Sequence, residues 1–353
     1  MEACEDSHGG VAPLNSPVPR WAAPLAWPAS ILYRSVVAIR NARLNRVTGW
    51  AAPVPVIAVG NLTAGGTGKS PMVRWICQSL RDAGRTPAIV LRGHHGGERS
   101  DEVLEHREVL PDVTVGVGPN RREVIERLLH EHAEIDAIVF DDGFQHRHVA
   151  RDLDVVLVDA SRPSLHDALL PMGWLREPAT SLARAGAVVV TRAEHVDEQL
   201  SNDIQRLHGA PPCAWTKHRW SGVRLHSQGV DTSEPVAWLR GKRVAMWAGI
   251  GNPEAFQKQL RESGAVVCHA PRLRDHQSYS PSLIASLMHQ ARSHGCEAVV
   301  CTMKDWVKIQ DRMPKESLPI ACVMIELAFL QGADAFATAL KSALRVGDSR
   351  RLR

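Results

Sequence analysis

The sequence predicts an α/β fold in which helices cover both faces of a parallel sheet, and three observations predict it. Short runs rich in Val and Ile, apolar throughout rather than alternating, recur along most of the chain. Stretches of helical spacing separate them. Strands apolar on both faces are buried on both faces, and strands that alternate with helices build parallel sheets. The third observation is length, since 353 residues allow two such units with separate cores.

Residues 1–19 read as a flexible leader. A helix is expected from Pro28, with Leu32, Val36, Ile39 and Val47 near one face and Arg34, Asn41 and Asn45 opposite. Between Arg20 and Trp50 there are five arginines and no acidic residue. Such a basic amphipathic helix, within residues 1–50, suits an anionic surface, with the stems of Arg40 and Arg43 snorkelling toward headgroups. The pattern suits equally a helix that merely packs on the domain. The longest apolar stretch, Trp21 to Tyr33, is too short to span a bilayer and contains Pro24 and Pro28.

The strand–helix rhythm starts at Val54. Strands are expected at Val56–Val59, Ala88–Leu91, Ala137–Phe140, Val155–Val158 and Ala187–Val190. Helices are expected from Lys69 to about Ala83 and from Pro119 to about His132. A polar stretch around 193–212, closed by Pro211 and Pro212, marks the expected domain boundary. Beyond it come strands near Val244–Trp247, Val266–His269, Ala298–Cys301 and Ile320–Ile325, with helices at about 253–263, 281–294 and 333–344. The tail after Val346 is basic and is expected to be mobile.

Composition excludes several classes. Hydrophobic content of 44% with 23% charged residues rules out disorder for most of the chain. A net charge of +4 gives no case for nucleic acid, and none is expected as a partner. The seven cysteines are scattered and never spaced as CxxC, which argues against a disulfide framework or structural zinc and for a reducing cytoplasm.

The first strand runs directly into Gly60-Asn61-Leu62-Thr63-Ala64-Gly65-Gly66-Thr67-Gly68-Lys69-Ser70. Strand, glycine loop, Lys-Ser and helix form the context of a Walker A phosphate loop, and hence a P-loop NTPase-type domain. Glycines let the backbone N–H groups of residues 63–68 turn toward phosphates, and the helix adds the positive end of its dipole. Lys69 reaches the β- and γ-phosphates of ATP, and Ser70 ligates Mg²⁺. Thr63 stands where the strict pattern has glycine. Further on, Ile135–Phe140 leads into Asp141-Asp142-Gly143-Phe144-Gln145-His146. An apolar strand ending in Asp is a Walker B arrangement that brings carboxylates to Mg²⁺, although an Asp-Gly pair also makes an ordinary turn.

At these residues the chain resembles the tetraacyldisaccharide 4'-kinases of lipid A synthesis, from about Pro53 to Lys308. The matching segments are Pro55–Thr63 with its loop, Asp141–Arg147, Arg151-Asp152-Leu153-Asp154, Leu169–Pro178, Gly249-Ile250-Gly251-Asn252-Pro253, Asp275-His276 and Lys304-Asp305. Thr63 is what that family tends to carry. The resemblance implies transfer of the ATP γ-phosphate to the 4'-hydroxyl of an acylated disaccharide 1-phosphate, at the cytoplasmic face of the inner membrane. It implies a kinase domain over 51–195 and a second, smaller Rossmann-like α/β domain over 196–353 that closes over the site. It further implies Asp101 as the catalytic carboxylate oriented by His276, with Lys69 on the phosphates. Asp141 and Asp142, with Ser70, hold the metal; Gln145 and His146 lie close by, and Arg121 and Arg176 grip phosphate. There are departures. Where the family has Ser-Arg-Gly-Tyr and a longer loop before Gly-Asp-Glu-Pro, this chain has Leu91-Arg92-Gly93-His94-His95-Gly96-Gly97 and Ser100-Asp101-Glu102-Val103. These fall on the acceptor half.

Three other readings compete, one of them a non-enzymatic membrane-associated paralogue, which turns on whether Asp101 and Lys69 meet across a cleft. A P-loop switch or metallochaperone would draw on the seventeen histidines, including His94, His95, His146 and His148, but they lack regular ligand spacing, and no guanine-reading Asn-Lys-x-Asp is present. A dinucleotide-binding dehydrogenase would draw on Gly249-Ile250-Gly251, but Glu254 stands at the third glycine.

Overall fold

The computed structural model describes residues 17–19, 21, 23–93, 97–314 and 317–351. All but the end of the expected leader, and His94-His95-Gly96 of the contracted loop, lie outside the described residues.

In the first half, helix α1 (Ala23–Leu44) precedes β1 (Val56–Asn61), α2 (Lys69–Asp82), β2 (Pro87–Leu91), α3 (Asp101–Val109), β3 (Thr114–Val117), α4 (Arg121–Glu131), β4 (Ala137–Asp141), β5 (Leu153–Asp159) and β6 (Ala187–Thr191). Every residue of β1, β2, β4 and β6 is buried, as expected of strands covered on both faces. They pair in parallel in the order β6-β5-β1-β4-β2-β3. The C-terminal ends of β1 and β4, where ligands of such sheets bind, therefore lie side by side.

The second half supplies α5 (Glu198–His208), β7 (Ala214–Ser227), β8 (Val230–Glu234), β9 (Arg243–Trp247), α6 (Pro253–Glu262), β10 (Val266–His269), α7 (Pro281–Ser293), β11 (Ala298–Cys301), α8 (Met303–Ile309), β12 (Ile320–Gln331) and α9 (Ala333–Arg351). Strands β10-β9-β11-β12 are again parallel. The long β7 joins the two halves, pairing in parallel with β6 through Val189↔Ala214 and antiparallel with β12 along most of its length. One twelve-stranded sheet therefore runs across the expected boundary without a break. The last helix crosses back: Phe336, Leu340, Ala343 and Leu344 of α9 share a core with Ile57, Val59, Met72 and Ile76 of the first half. The expectation of a mobile tail after Val346 is corrected here. Helix α9 continues to Arg351, Gly347 packs on Pro55, and Asp348 pairs with Arg85.

Helix α1 starts earlier than expected and accommodates Pro28 within it. Its inner stripe is Ala26, Ser30, Tyr33, Val37 and Asn41, spaced at helical intervals. Ser30 Oγ donates to the Leu169 carbonyl at 3.0 Å, Tyr33 OH to the Arg176 carbonyl at 3.0 Å, and Asn41 to Glu177 at 3.2 Å. The apolar residues are turned outward instead: Trp27, Leu32, Val36 and Ile39 are 62%, 67%, 55% and 55% exposed. Among the described residues no helix is long and apolar enough to cross a membrane.

Candidate active site

The phosphate loop is held open by specific backbone needs. Gly60, next to the last residue of β1, lies against Phe144, and a Cβ there would lie 2.5 Å from the Phe144 Cβ. Gly68 caps α2 at φ 85°, a left-handed conformation that glycine adopts without penalty. The departure at Thr63 has a physical reason. Thr63 bridges Leu175 as a short antiparallel strand, with Ala64 N donating to the Trp174 carbonyl at 2.8 Å and Arg176 N to the Leu62 carbonyl at 2.7 Å. An extended position pinned in this way has no use for glycine, and Thr63 Oγ1 accepts from Asn61 Nδ2 at 3.1 Å.

At the loop, Lys69 Nζ donates to Asn61 Oδ1 at 3.3 Å and lies 3.6 Å from Asp142 Oδ1. Arg176 grips Asp142 through both carboxylate oxygens at 2.8 Å each, and also donates to the Asn61 carbonyl at 3.0 Å. Gln145 Nε2 donates to that same carbonyl at 2.9 Å. Asp142 sits at φ 54°, so the Asp-Gly pair is a turn and also a means of folding a carboxylate back toward Lys69. Arg40 is corrected from its expected snorkelling role, because it donates to the Gln145 carbonyl at 2.6 Å.

The two acidic residues are set apart. Asp141 is buried, and its Oδ2 accepts from His106 Nε2 at 2.8 Å while no described group bonds its Oδ1. Among the described residues no group of three or more His, Cys, Asp or Glu side chains could by itself hold a metal ion. A small hard cation that takes most of its ligands from phosphate and water needs only one or two carboxylates. The open oxygen of Asp141, together with Asp142 and the Ser70 hydroxyl in the first turn of α2, fits such an ion. Arg121, buried at the start of α4, faces Asp142 and Asp141; burial lowers its proton affinity and the two carboxylates counter the effect. His146 is pushed down to about 4 by burial and by Arg121 and His148, so it is a neutral imidazole at physiological pH.

The second group of residues meets across the molecule. Asp101 opens α3 after Ser100, and its Oδ2 accepts from His276 Nδ1 at 2.9 Å and forms an ion pair with Lys308 Nζ at 2.6 Å. His276 sits at φ 56° in a loop whose backbone is tied to Gly249. Buried Asp305 of the Lys304-Asp305 motif organises that region, accepting from Tyr279 OH at 2.8 Å, Gly249 N at 3.1 Å and Thr302 Oγ1 at 2.6 Å. Its carboxyl is raised by burial, against the pull of those donors.

Helix α3 links the two groups. Asp101 stands at its start, and His106, which holds Asp141, is five residues further along, about 7.5 Å of helix rise. Glu105 between them pairs with Arg74 of α2 at 2.7 Å; burial alone would raise its carboxyl, and Arg74 overrides this, leaving it lowered. Glu102 is raised by burial and by the charge of Asp141. Sequence reasoning missed Asn61, Glu105, His106 and Lys308. Only Asn61 carried a signal, as a polar residue at the C-terminal end of a buried strand.

A central parallel strand, a glycine loop, a lysine at the following helix start and a carboxylate on the neighbouring strand end define a P-loop phosphate-binding protein. The comparisons narrow this class. The family described as "Tetraacyldisaccharide-1-P 4'-kinase" (LpxK) matches residues 22–345. Among similar proteins, the tetraacyldisaccharide 4'-kinase of Chlorobaculum tepidum is 35% identical over 316 residues, covering 83% of this chain and 88% of its own. That of Anaeromyxobacter sp. (strain K) is 33% identical over 334 residues, covering 88% of each. The crystal structure of LpxK from Aquifex aeolicus in complex with ATP superposes with a TM-score of 0.70 at 24% identity, covering 91% of this chain and 99% of that one, and shows the same fold. The chain belongs to the tetraacyldisaccharide-1-phosphate 4'-kinase family. The switch or metallochaperone alternative is not favoured.

Proposed function

We propose that this chain transfers the γ-phosphate of ATP to the 4'-hydroxyl of an acylated disaccharide 1-phosphate in lipid A biosynthesis, and that the residues above divide the work. The observation that carries the residue assignment is the Asp101–His276 pair, attached through α3 to the carboxylate beside the phosphate loop. The loop amides of residues 63–68 and Lys69 cradle the β- and γ-phosphates. Arg176 and Arg121 add positive charge, and Arg176 exchanges its grip on Asp142 for phosphate as nucleotide enters. When bound, Mg²⁺ held by Ser70, Asp141 and Asp142 neutralises phosphate charge. His106 keeps the Asp141 carboxylate turned so that its other oxygen stays open.

Asp101 accepts the proton of the sugar hydroxyl as that oxygen bonds to the γ-phosphorus and the bond to the β-phosphate oxygen breaks. His276, bonded through Nδ1, orients the carboxylate. Gln145 and neutral His146 line the nucleotide side.

The lipid acceptor gives the outward face of α1 a purpose. Trp27, Ile31, Leu32, Val36 and Ile39 are exposed on the outward side of α1, with Arg43 near Leu32, Val36 and Ile39 and Arg34 nearer Trp27. Burying one such side chain in an apolar phase contributes roughly 1.5–3 kcal/mol. Exposed apolar side chains with arginines near them suit a peripheral helix at a headgroup layer, here the cytoplasmic face of the inner membrane.

The test is transfer of radiolabelled γ-phosphate from ATP to a tetraacylated disaccharide 1-phosphate in detergent micelles. Wild type is expected to transfer. Lys69→Ala should lose about 10²–10³-fold, and Asp101→Ala about 10²–10⁴-fold. A folded, ATP-binding wild type that fails to transfer would overturn the assignment of acceptor.

A further inference from the structure

Asp101 Oδ2 meets two groups from the second half of the molecule: it is hydrogen-bonded to His276 Nδ1 at 2.9 Å and ion-paired with Lys308 Nζ at 2.6 Å. No described residue bonds Oδ1. The same ammonium donates to the carbonyl of Gln277, the residue after His276, at 3.2 Å. The pair is sheltered, with the Lys308 side chain 10% and the Asp101 side chain 19% exposed. It is therefore unlike the solvent-washed ion pairs whose contribution is small.

Lys308 lies three residues after Asp305 on α8, so one helix grips the His276 loop at two points. Asp305 holds Gly249 N and Tyr279 OH, and Lys308 holds the Gln277 carbonyl. His276 itself has φ 56°, a conformation that an L-residue keeps only where its surroundings impose it. The contacts around it are His276 N to Asp275 Oδ1 at 3.0 Å and to the Gly249 carbonyl at 3.2 Å, and the Lys308 tether on Gln277.

We propose that Lys308 is a positioning residue for phosphoryl transfer. By holding Oδ2 of Asp101 and the backbone beside His276 with one ammonium, it fixes the carboxylate so that Oδ1 faces the acceptor hydroxyl. The Lys308 ammonium is shared between the Asp101 carboxylate, as an ion pair, and the Gln277 carbonyl, as a hydrogen bond. With His276 alone the carboxylate is held by a single hydrogen bond; the ion pair with Lys308 further restrains its rotation. A base displaced by about 1 Å costs on the order of 10²-fold in rate. The proposal rests on Asp101 being the base.

The test compares wild type, Lys308→Met, Lys308→Arg, Asp101→Asn and the double variant Asp101→Asn/Lys308→Met in steady-state transfer to a tetraacylated disaccharide 1-phosphate in micelles. Methionine keeps the aliphatic stem, so packing is retained, and thermal melts monitor folding. Lys308→Met is expected to lower kcat by roughly 10–100-fold, with KM for ATP unchanged and with Lys308→Arg recovering most of the loss. Added to Asp101→Asn, Lys308→Met should cost little more, because both act through one carboxylate. Wild-type kcat in Lys308→Met sinks the idea, as does a double variant in which the two losses multiply in full. A loss that arginine leaves unrepaired and that raises KM for both substrates means a scaffold role only. Failure of the underlying reading looks different: Asp101→Asn alone would keep wild-type kcat.

Discussion

Gly68 and His218 occupy the same few ångströms at the base of the phosphate loop. A Cβ on Gly68 would lie 2.7 Å from His218 Nε2, so the loop's left-handed cap and the imidazole on β7 depend on each other. Burial, reinforced by Arg192, pushes His218 down to about 4, and His146 on the other side of the site is likewise at about 4. The consequence for stability has a definite sign. Both groups have an ordinary value of 6.5, which the unfolded chain regains. Between about 6.5 and about 4 the unfolded chain binds protons that the native one refuses, so native stability falls as pH falls through that window. Above it these two groups contribute no pH dependence. Chemical denaturation across pH 4–7 is expected to show this decline, and to show a shallower one in the double variant His146→Gln/His218→Gln. An unchanged slope in that variant would refute the assignment.

At the scale of elements, α1 is the informative case. Its amphipathic spacing is visible in sequence, but the apolar face looks outward while Ser30, Tyr33 and Asn41 make the contacts to the protein. A helix that used apolar burial to fold would do the reverse. Replacing Leu32, Val36 and Ile39 by serine should therefore leave the melting temperature near that of wild type. The same change should weaken binding to anionic phospholipid vesicles at least tenfold, since about 1.4 kcal/mol of lost apolar burial is a factor of ten. A flotation assay measures the second effect and calorimetry the first. A collapse in stability with unchanged vesicle binding would place the apolar face inside the fold in solution. Other elements were legible for plain reasons. Strands β1, β2, β4, β5, β6, β9 and β11 are contiguous apolar runs, and burial on both faces leaves no alternative reading. Strand β7 was not legible, because Lys217, His218, Arg219 and Arg224 interrupt it and its longest pairing is with β12, far along the chain. Helix α3 was hidden by its charges, which are buried only because Arg74 and Asp141 meet them.

For the whole molecule, the division into 51–195 and 196–353 meets a continuous sheet. Strand β6 has β7 as its outer neighbour, and the core over β1 is completed by α9 from the far end of the chain. Residues 51–195 expressed alone would expose the edge of β6 and lose Phe336, Leu340, Ala343 and Leu344 from that core. An open apolar edge with a missing core layer favours association over folding. The fragment is expected to be aggregated by size-exclusion chromatography, and to become monomeric when residues 196–353 are supplied on the same chain. A monomeric, cooperatively melting fragment would show that the first unit folds independently of α9.

The sequence by itself determined what neighbouring residues can encode: buried strands, the phosphate loop between β1 and α2, and the acidic turn after β4. Each is a contiguous stretch whose residue types dictate local geometry. Asp101 and His276 stand 175 positions apart, and only family resemblance marked them as partners before the fold brought them to 2.9 Å. Neither spacing nor resemblance marked His106 on Asp141 or Lys308 on Asp101. A buried polar group finds whichever partner the packing brings to it, and that choice is made by the meeting of helices and strands rather than by any one of them.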